Sequence, residues 1–135
     1  MAVLFDLDGT LLDTSELIVE SFRYTFKQHC NYDISVSEVH DFFGKSLRLA
    51  METLGKDKAD ELIDTYREHN AKYHDEKIAI FPEVAETIKT MYDNGIKLAV
   101  VTSKTKKTAL RGLKLFGLEN YFSTVIGINE CINPK

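Results

Sequence analysis

Apolar residues recur along the chain in two rhythms. "AVLF" (Ala2 to Phe5), "IKLAVV" (Ile96 to Val101) and "FSTVIGI" (Phe122 to Ile128) are short apolar runs rich in strand formers. That is the pattern of strands buried on both faces of a parallel sheet. Between them, "EVAETIKTMYDNG" and "KTKKTALRGLKLF" space their apolar residues at the helical period. Pro82 marks the start of the first and Gly95 its stop, and Gly117 stops the second. Strand, helix, strand, helix, strand predicts βαβ units with right-handed crossovers.

From Thr14 to Glu76 only the helical rhythm is present. Asp13 with Glu16 has capping-box spacing ahead of "SELIVESFRYTFKQH", whose Leu17, Val19, Phe22 and Phe26 share one face, with an end near Cys30. Ser35 and Glu38 repeat that spacing before "VHDFF", and Gly44 reads as a stop. A short helix follows over "SLRLAMETL", closed by Gly55, and Asp57 is placed to cap "KADELIDTYREHNAKYHDE". A helical stretch of about sixty residues is far longer than an ordinary connection and reads as an inserted functional cap. The expectation is an α/β parallel-sheet core formed by residues 1–13 and 79–135, interrupted by a helical cap over 14–78.

Composition narrows the partners. The 135 residues are 44% hydrophobic, enough for one main core. The 17 basic residues are dispersed among 21 acidic ones for a net charge of −4, so no nucleic-acid-binding patch is expected. Cys30 and Cys131 have no CxxC or metal-ligand spacing, which argues against a disulfide framework and against structural zinc. No apolar run approaches the ~20 residues of a membrane span, and no charged leader precedes the first strand. The expected location is cytoplasmic, with no membrane partner.

The chemistry concentrates in "VLFDLDGTLLDT" (Val3 to Thr14). Ligands of open parallel sheets bind outside the C-terminal strand ends, where Asp6, Thr102 and Lys135 all map. Aspartate is depleted in strands, and a carboxylate at the end of a buried one carries a desolvation cost unless it is paired, hydrogen-bonded or on a metal. Alternate positions point Asp6 and Asp8 the same way. Gly9 suits a sharp turn, and Thr10 can hydrogen-bond the loop and so hold Asp6 still.

This string resembles the first motif, DxDGT followed by a hydrophobic pair, of the haloacid dehalogenase superfamily of phosphohydrolases. The resemblance implies a Rossmann-like core with Asp6 as the nucleophile that forms an aspartyl-phosphate. It makes Asp8 the general acid and then the base. It also implies a magnesium ion held by the Asp6 carboxylate and the Asp8 backbone carbonyl. Thr102, in "AVVTSK", fits the second motif, whose hydroxyl binds the transferring phosphoryl group. Gly9, Thr10 and Ser103 are then neighbours of the phosphate, and Lys104 is either another or part of a solvated surface. Lys135, in "CINPK", stands where the third motif's lysine belongs, a fixed charge that orients Asp6. The fourth motif, an acidic pair completing the magnesium site, has no counterpart, and Glu130 does not fit its place. An incomplete core is expected to leave the DLDGT strand at a sheet edge, either in the N-terminal portion of a longer enzyme or with a remainder that is disordered, cleaved or supplied by another molecule.

The insertion resembles the small helical cap of this superfamily, so specificity is expected there, with Lys45 or Arg48 of "FFGKSLR" holding a distal phosphate. "SELIVESFRYTF" and "TYREHNAKYHDE" most resemble the cap helices of PpaX-type inorganic pyrophosphatases, which implies pyrophosphate as substrate, with phosphoglycolate or another small phosphomonoester as the alternative. His69 and His74 are five apart, not four, and read as cap surface or packing. Two other classes compete. A signalling receiver module also phosphorylates a strand-end aspartate, but there the acceptor lies on the third strand and no cap follows the first. The other competitor is a non-catalytic binding fragment in which the metal site is incomplete.

Overall fold

The computed structural model describes residues 1–128. It divides into two compact units. One is Met1–Asp13 with the segment from Ala79 onward, and the other is Thr14–Ile78.

The first unit is α/β. Strands β1 (Ala2–Phe5), β4 (Lys97–Val101) and β5 (Thr124–Ile126) form a parallel sheet in the order β1-β4-β5. Phe5 pairs with Val100 and Val101 with Ile126, so all three strands end along one edge of the sheet. Leu98 and Val100 of the central strand are buried, as their apolar run requires. The outer strand lies at the sheet edge, as expected of an incomplete core, and is not buried on both faces as its apolar run alone suggested: Leu4 is 70% exposed. Its run is as apolar as that of β4, but among the described residues it pairs with β4 alone.

Helix α5 (Val84–Asp93) begins two residues after Pro82, which lies in a turn, because Glu83 adopts φ 68° and interrupts the right-handed path. Helix α6 (Lys106–Leu115) is capped by Thr105, whose hydroxyl accepts from the Thr108 N–H. It ends as Gly117 suggested. At φ 70° the chain reverses, and the Leu118 and Gly117 N–H groups reach the carbonyls of Leu113 and Lys114 at 2.8 and 3.1 Å. Two strands of two residues, β2 (Leu12–Asp13) and β3 (Ala79–Ile80), pair antiparallel and fix where the chain leaves the core and re-enters it. Neither is long enough to show a period.

The second unit is helical: α1 (Ser15–Cys30), α2 (Val36–His40), α3 (Leu47–Gly55) and α4 (Ala59–Lys77). Phe22, Phe26, Val39, Met51, Leu62 and Ile63 belong to its buried core, with Tyr66 edge-on to Phe22. Ser35 and Glu38 form the full capping box of α2, and Ser46 caps α3. Two expected caps are corrected. Asp13 is taken up by β2, leaving buried Thr14 at the N-cap of α1. Asp57 sits inside a 3-10 turn, Lys56–Lys58, whose backbone bond to Ala59 opens α4 without a side-chain cap. His69 stacks on Tyr24 and is in hydrogen-bond contact with Ser21, while His74 is buried beside Asp75. Among the described residues no helix is long and apolar enough to cross a membrane.

Candidate active site

Where β1 ends, the chain turns tightly around Leu7, which is buried and whose carbonyl accepts the N–H groups of Thr10, Leu11 and Leu12 at 3.3, 3.0 and 3.0 Å. Gly9 supplies the left-handed residue that this turn needs, at φ 78°, and its N–H returns to the Leu12 carbonyl at 2.9 Å. A buried leucine between two aspartates forces both carboxylates toward the half-exposed side. Asp6 and Asp8 are each partly exposed, and Asp6 Oδ1 accepts the Leu7 N–H at 2.7 Å. Backbone bonds close the loop. Thr10 is exposed and contributes its N–H, and among the described residues its hydroxyl has no hydrogen bond of the kind expected.

The exit of β4 supplies the opposing wall. Phe5 pairs with Val100, so Asp6 and Thr102 each follow closely on adjacent strand ends. Thr102 is 2% exposed, its N–H donates to Ile126 at 3.0 Å and its Oγ1 accepts the Lys104 N–H at 3.2 Å. Lys104 then reaches across, its ammonium 3.4 Å from Asp8 Oδ1. That oxygen is buried and makes no hydrogen bond among the described residues, and the ammonium is a compensating charge for it. Ser103 is half-buried in the same loop. Of the expected site residues, the structure thus gathers Asp6, Asp8, Gly9, Thr10, Thr102 and Ser103 at one edge of the sheet. To them it adds Lys104, which the sequence left between site and solvent. The available signal was its position two residues after Thr102.

Lys45 and Arg48 belong to the helical unit. Lys45 is exposed, with its ammonium 5.7 Å from the centre of the Phe42 ring. Arg48 donates to Asp60 at 3.2 Å and Glu52 at 3.3 Å, and these carboxylates, Asp60 foremost, raise its pKa further. Lys135 lies outside the described residues.

The donor chemistry suits magnesium. The Asp6 carboxylate, partly exposed at the exit of β1, and the backbone carbonyl of Asp8 are both hard oxygen donors. This cation is commonly held by one or two carboxylates completed by phosphate oxygens and water. No cluster of three or more acidic, His or Cys ligands occurs among the described residues.

Paired aspartates at the exit of one parallel strand and a buried hydroxyl at the exit of the next define a Rossmann-like α/β protein with the layout of a phosphoryl-transfer site. The chain belongs to the haloacid dehalogenase-like hydrolase family, whose model matches residues 3–135. It is 46% identical over 134 residues to a PpaX-named protein of Caldanaerobacter subterraneus subsp. tengcongensis, covering 99% of this chain and 61% of that one. It is 39% identical over 133 residues to pyrophosphatase PpaX of Halalkalibacterium halodurans, covering 98% of this chain and 62% of the relative. A solved haloacid dehalogenase-like hydrolase from Streptococcus pneumoniae superposes with a TM-score of 0.85 at 28% identity, over 93% of this chain and 60% of that one. The chain therefore spans about three-fifths of the length of the curated relatives it matches.

Proposed function

We propose that the protein is a magnesium-dependent phosphohydrolase that cleaves inorganic pyrophosphate through an aspartyl-phosphate. The observation that carries this reading is the juxtaposition of Asp6 and Asp8 with the buried Thr102 hydroxyl. Asp6 attacks phosphorus, the bond to the leaving oxygen breaks, and Asp8 supplies the proton that oxygen takes up. Asp8 then removes a proton from water, whose oxygen attacks the acyl phosphate, releasing phosphate and restoring Asp6. Thr102 donates to the transferring group, and Lys135, by the family resemblance, adds a fixed positive charge. The Asp6 carboxylate and the Asp8 carbonyl would hold magnesium, which would supply charge neutralisation of the phosphate so that an anionic nucleophile could approach.

Pyrophosphate is favoured over phosphoglycolate by the identity to proteins named pyrophosphatase PpaX. In this reading the helical unit is a specificity cap in which Lys45 recognises the second phosphate, with Arg48 as a further candidate. The test is a substrate ratio. Phosphate release should be faster from pyrophosphate than from phosphoglycolate, and Lys45→Ala should raise KM for pyrophosphate by about tenfold or more while leaving a small monophosphate nearly unaffected. Equal effects on both would remove Lys45 from the site, and a preference for phosphoglycolate would replace the substrate.

A further inference from the structure

Lys104 occupies an unusual position for a lysine. Its side chain is only 16% exposed, and its ammonium lies 3.4 Å from a carboxylate oxygen of Asp8, itself 18% exposed. Lysine normally keeps its charged end in water, so withdrawing it into a loop needs a compensating partner. Asp8 is that partner, and among the described residues its Oδ1 has no hydrogen bond to replace it.

The backbone on both sides of this lysine is fixed. Its N–H donates to Thr102 Oγ1 at 3.2 Å and its carbonyl accepts the Ile128 N–H at 2.7 Å. Thr105, the next residue, caps α6. Gly127 lies so close beneath that a β-carbon there would overlap the backbone of Lys104, Thr105 and Lys106. A flexible side chain thus leaves a rigid base and ends on a half-buried carboxylate. We infer that Lys104 is a positioning residue, whose ammonium holds the Asp8 carboxylate at the angle from which it exchanges protons with the leaving oxygen and with water. It also couples the loop after β1 to the loop after β4, because the residue that orders Asp8 also gives its N–H to the Thr102 hydroxyl. The inference rests on the phosphohydrolase reading above and extends it to a residue which that mechanism does not use. A group that orients an acid-base residue should act on turnover, since a loosely held donor loses transition-state contacts before it loses substrate binding.

The experiment is a double-mutant cycle on the full chain: wild type, Lys104→Met, Asp8→Asn and the double variant, each assayed for magnesium-dependent phosphate release and for thermal unfolding. Lys104→Met should lower kcat about tenfold or more with KM within about twofold. In the Asp8→Asn background the same change should cost no more than about twofold further, because the residue through which Lys104 acts is already gone. In melting temperature the double variant should fall by less than the sum of the single variants, which reads the pair without reference to activity. A raised KM with kcat unchanged would make Lys104 a substrate ligand instead. Additive losses in activity or melting temperature, or a Lys104→Met protein that turns over like wild type, would overturn the inference alone. A wild type with no Asp6-dependent release would overturn the functional reading together with the inference. Should Lys104→Met fail to fold, Lys104→Gln, which keeps a polar end of similar length, carries the same readings.

Discussion

The carbonyl of Leu7 accepts three backbone N–H groups, and this keeps the aspartates on either side in place. "DLDGT" was legible because its parts conflict with an ordinary strand: two carboxylates, a glycine and an apolar residue between them make sense only as a turn that presents acids. Lys104 was not decided by sequence, because its partner lies nearly a hundred residues away in "DLDGT" and is reached only once β1 and β4 pair. The loops also separate two kinds of glycine. A β-carbon on Gly9 would meet nothing within 4 Å, so Gly9→Ala should cost only the left-handed backbone penalty, about 1 kcal/mol. Gly127→Ala would drive a methyl group into backbone and should cost more, up to about 3 kcal/mol. Urea unfolding of the two variants checks the order, and a costlier Gly9→Ala would contradict this description of the loop.

At the scale of elements, caps were legible where a side chain was free to serve and illegible where the same residue had another task. Ser35 is exposed and caps α2, whereas Asp13 belongs to a strand pair too short to announce itself. The histidines show a similar limit. Spacing alone left His69 as surface or packing, and the structure packs its ring against Tyr24 of α1 and Tyr73 of α4. Burial, the largest influence, lowers the His69 pKa below its ordinary value despite the opposing pull of Glu20. The folded chain therefore keeps His69 neutral at a pH where the unfolded chain has begun to protonate it. Its contribution is complete above the unfolded pKa of about 6.5 and is lost as pH falls from there through the folded value. His69→Phe keeps an aromatic ring in the stack and removes the titration. The urea midpoint of that variant should decline less than that of wild type between about pH 7 and pH 5, and parallel declines would exclude this histidine as a source of acid sensitivity.

For the molecule as a whole, two compact units meet at Thr14 and Ala79 along the chain, and the apolar rhythm of the sequence changes near the same positions. The apolar run of β1 looks the same at a sheet's edge as at its centre, and it was the missing acidic motif that pointed to an edge. Leu4, 70% exposed on a strand that pairs on one side among the described residues, is a template for association. In the 135-residue chain, Leu4→Lys should reduce concentration-dependent light scattering without lowering the melting temperature, whereas unchanged scattering would place any association elsewhere. Whether the chain hydrolyses pyrophosphate through Asp6 is read by magnesium-dependent phosphate release from wild type beside Asp6→Asn. Release should require magnesium and fall at least about a hundredfold in Asp6→Asn. Release that survives this substitution, or that proceeds equally without magnesium, would exclude the aspartyl-phosphate route.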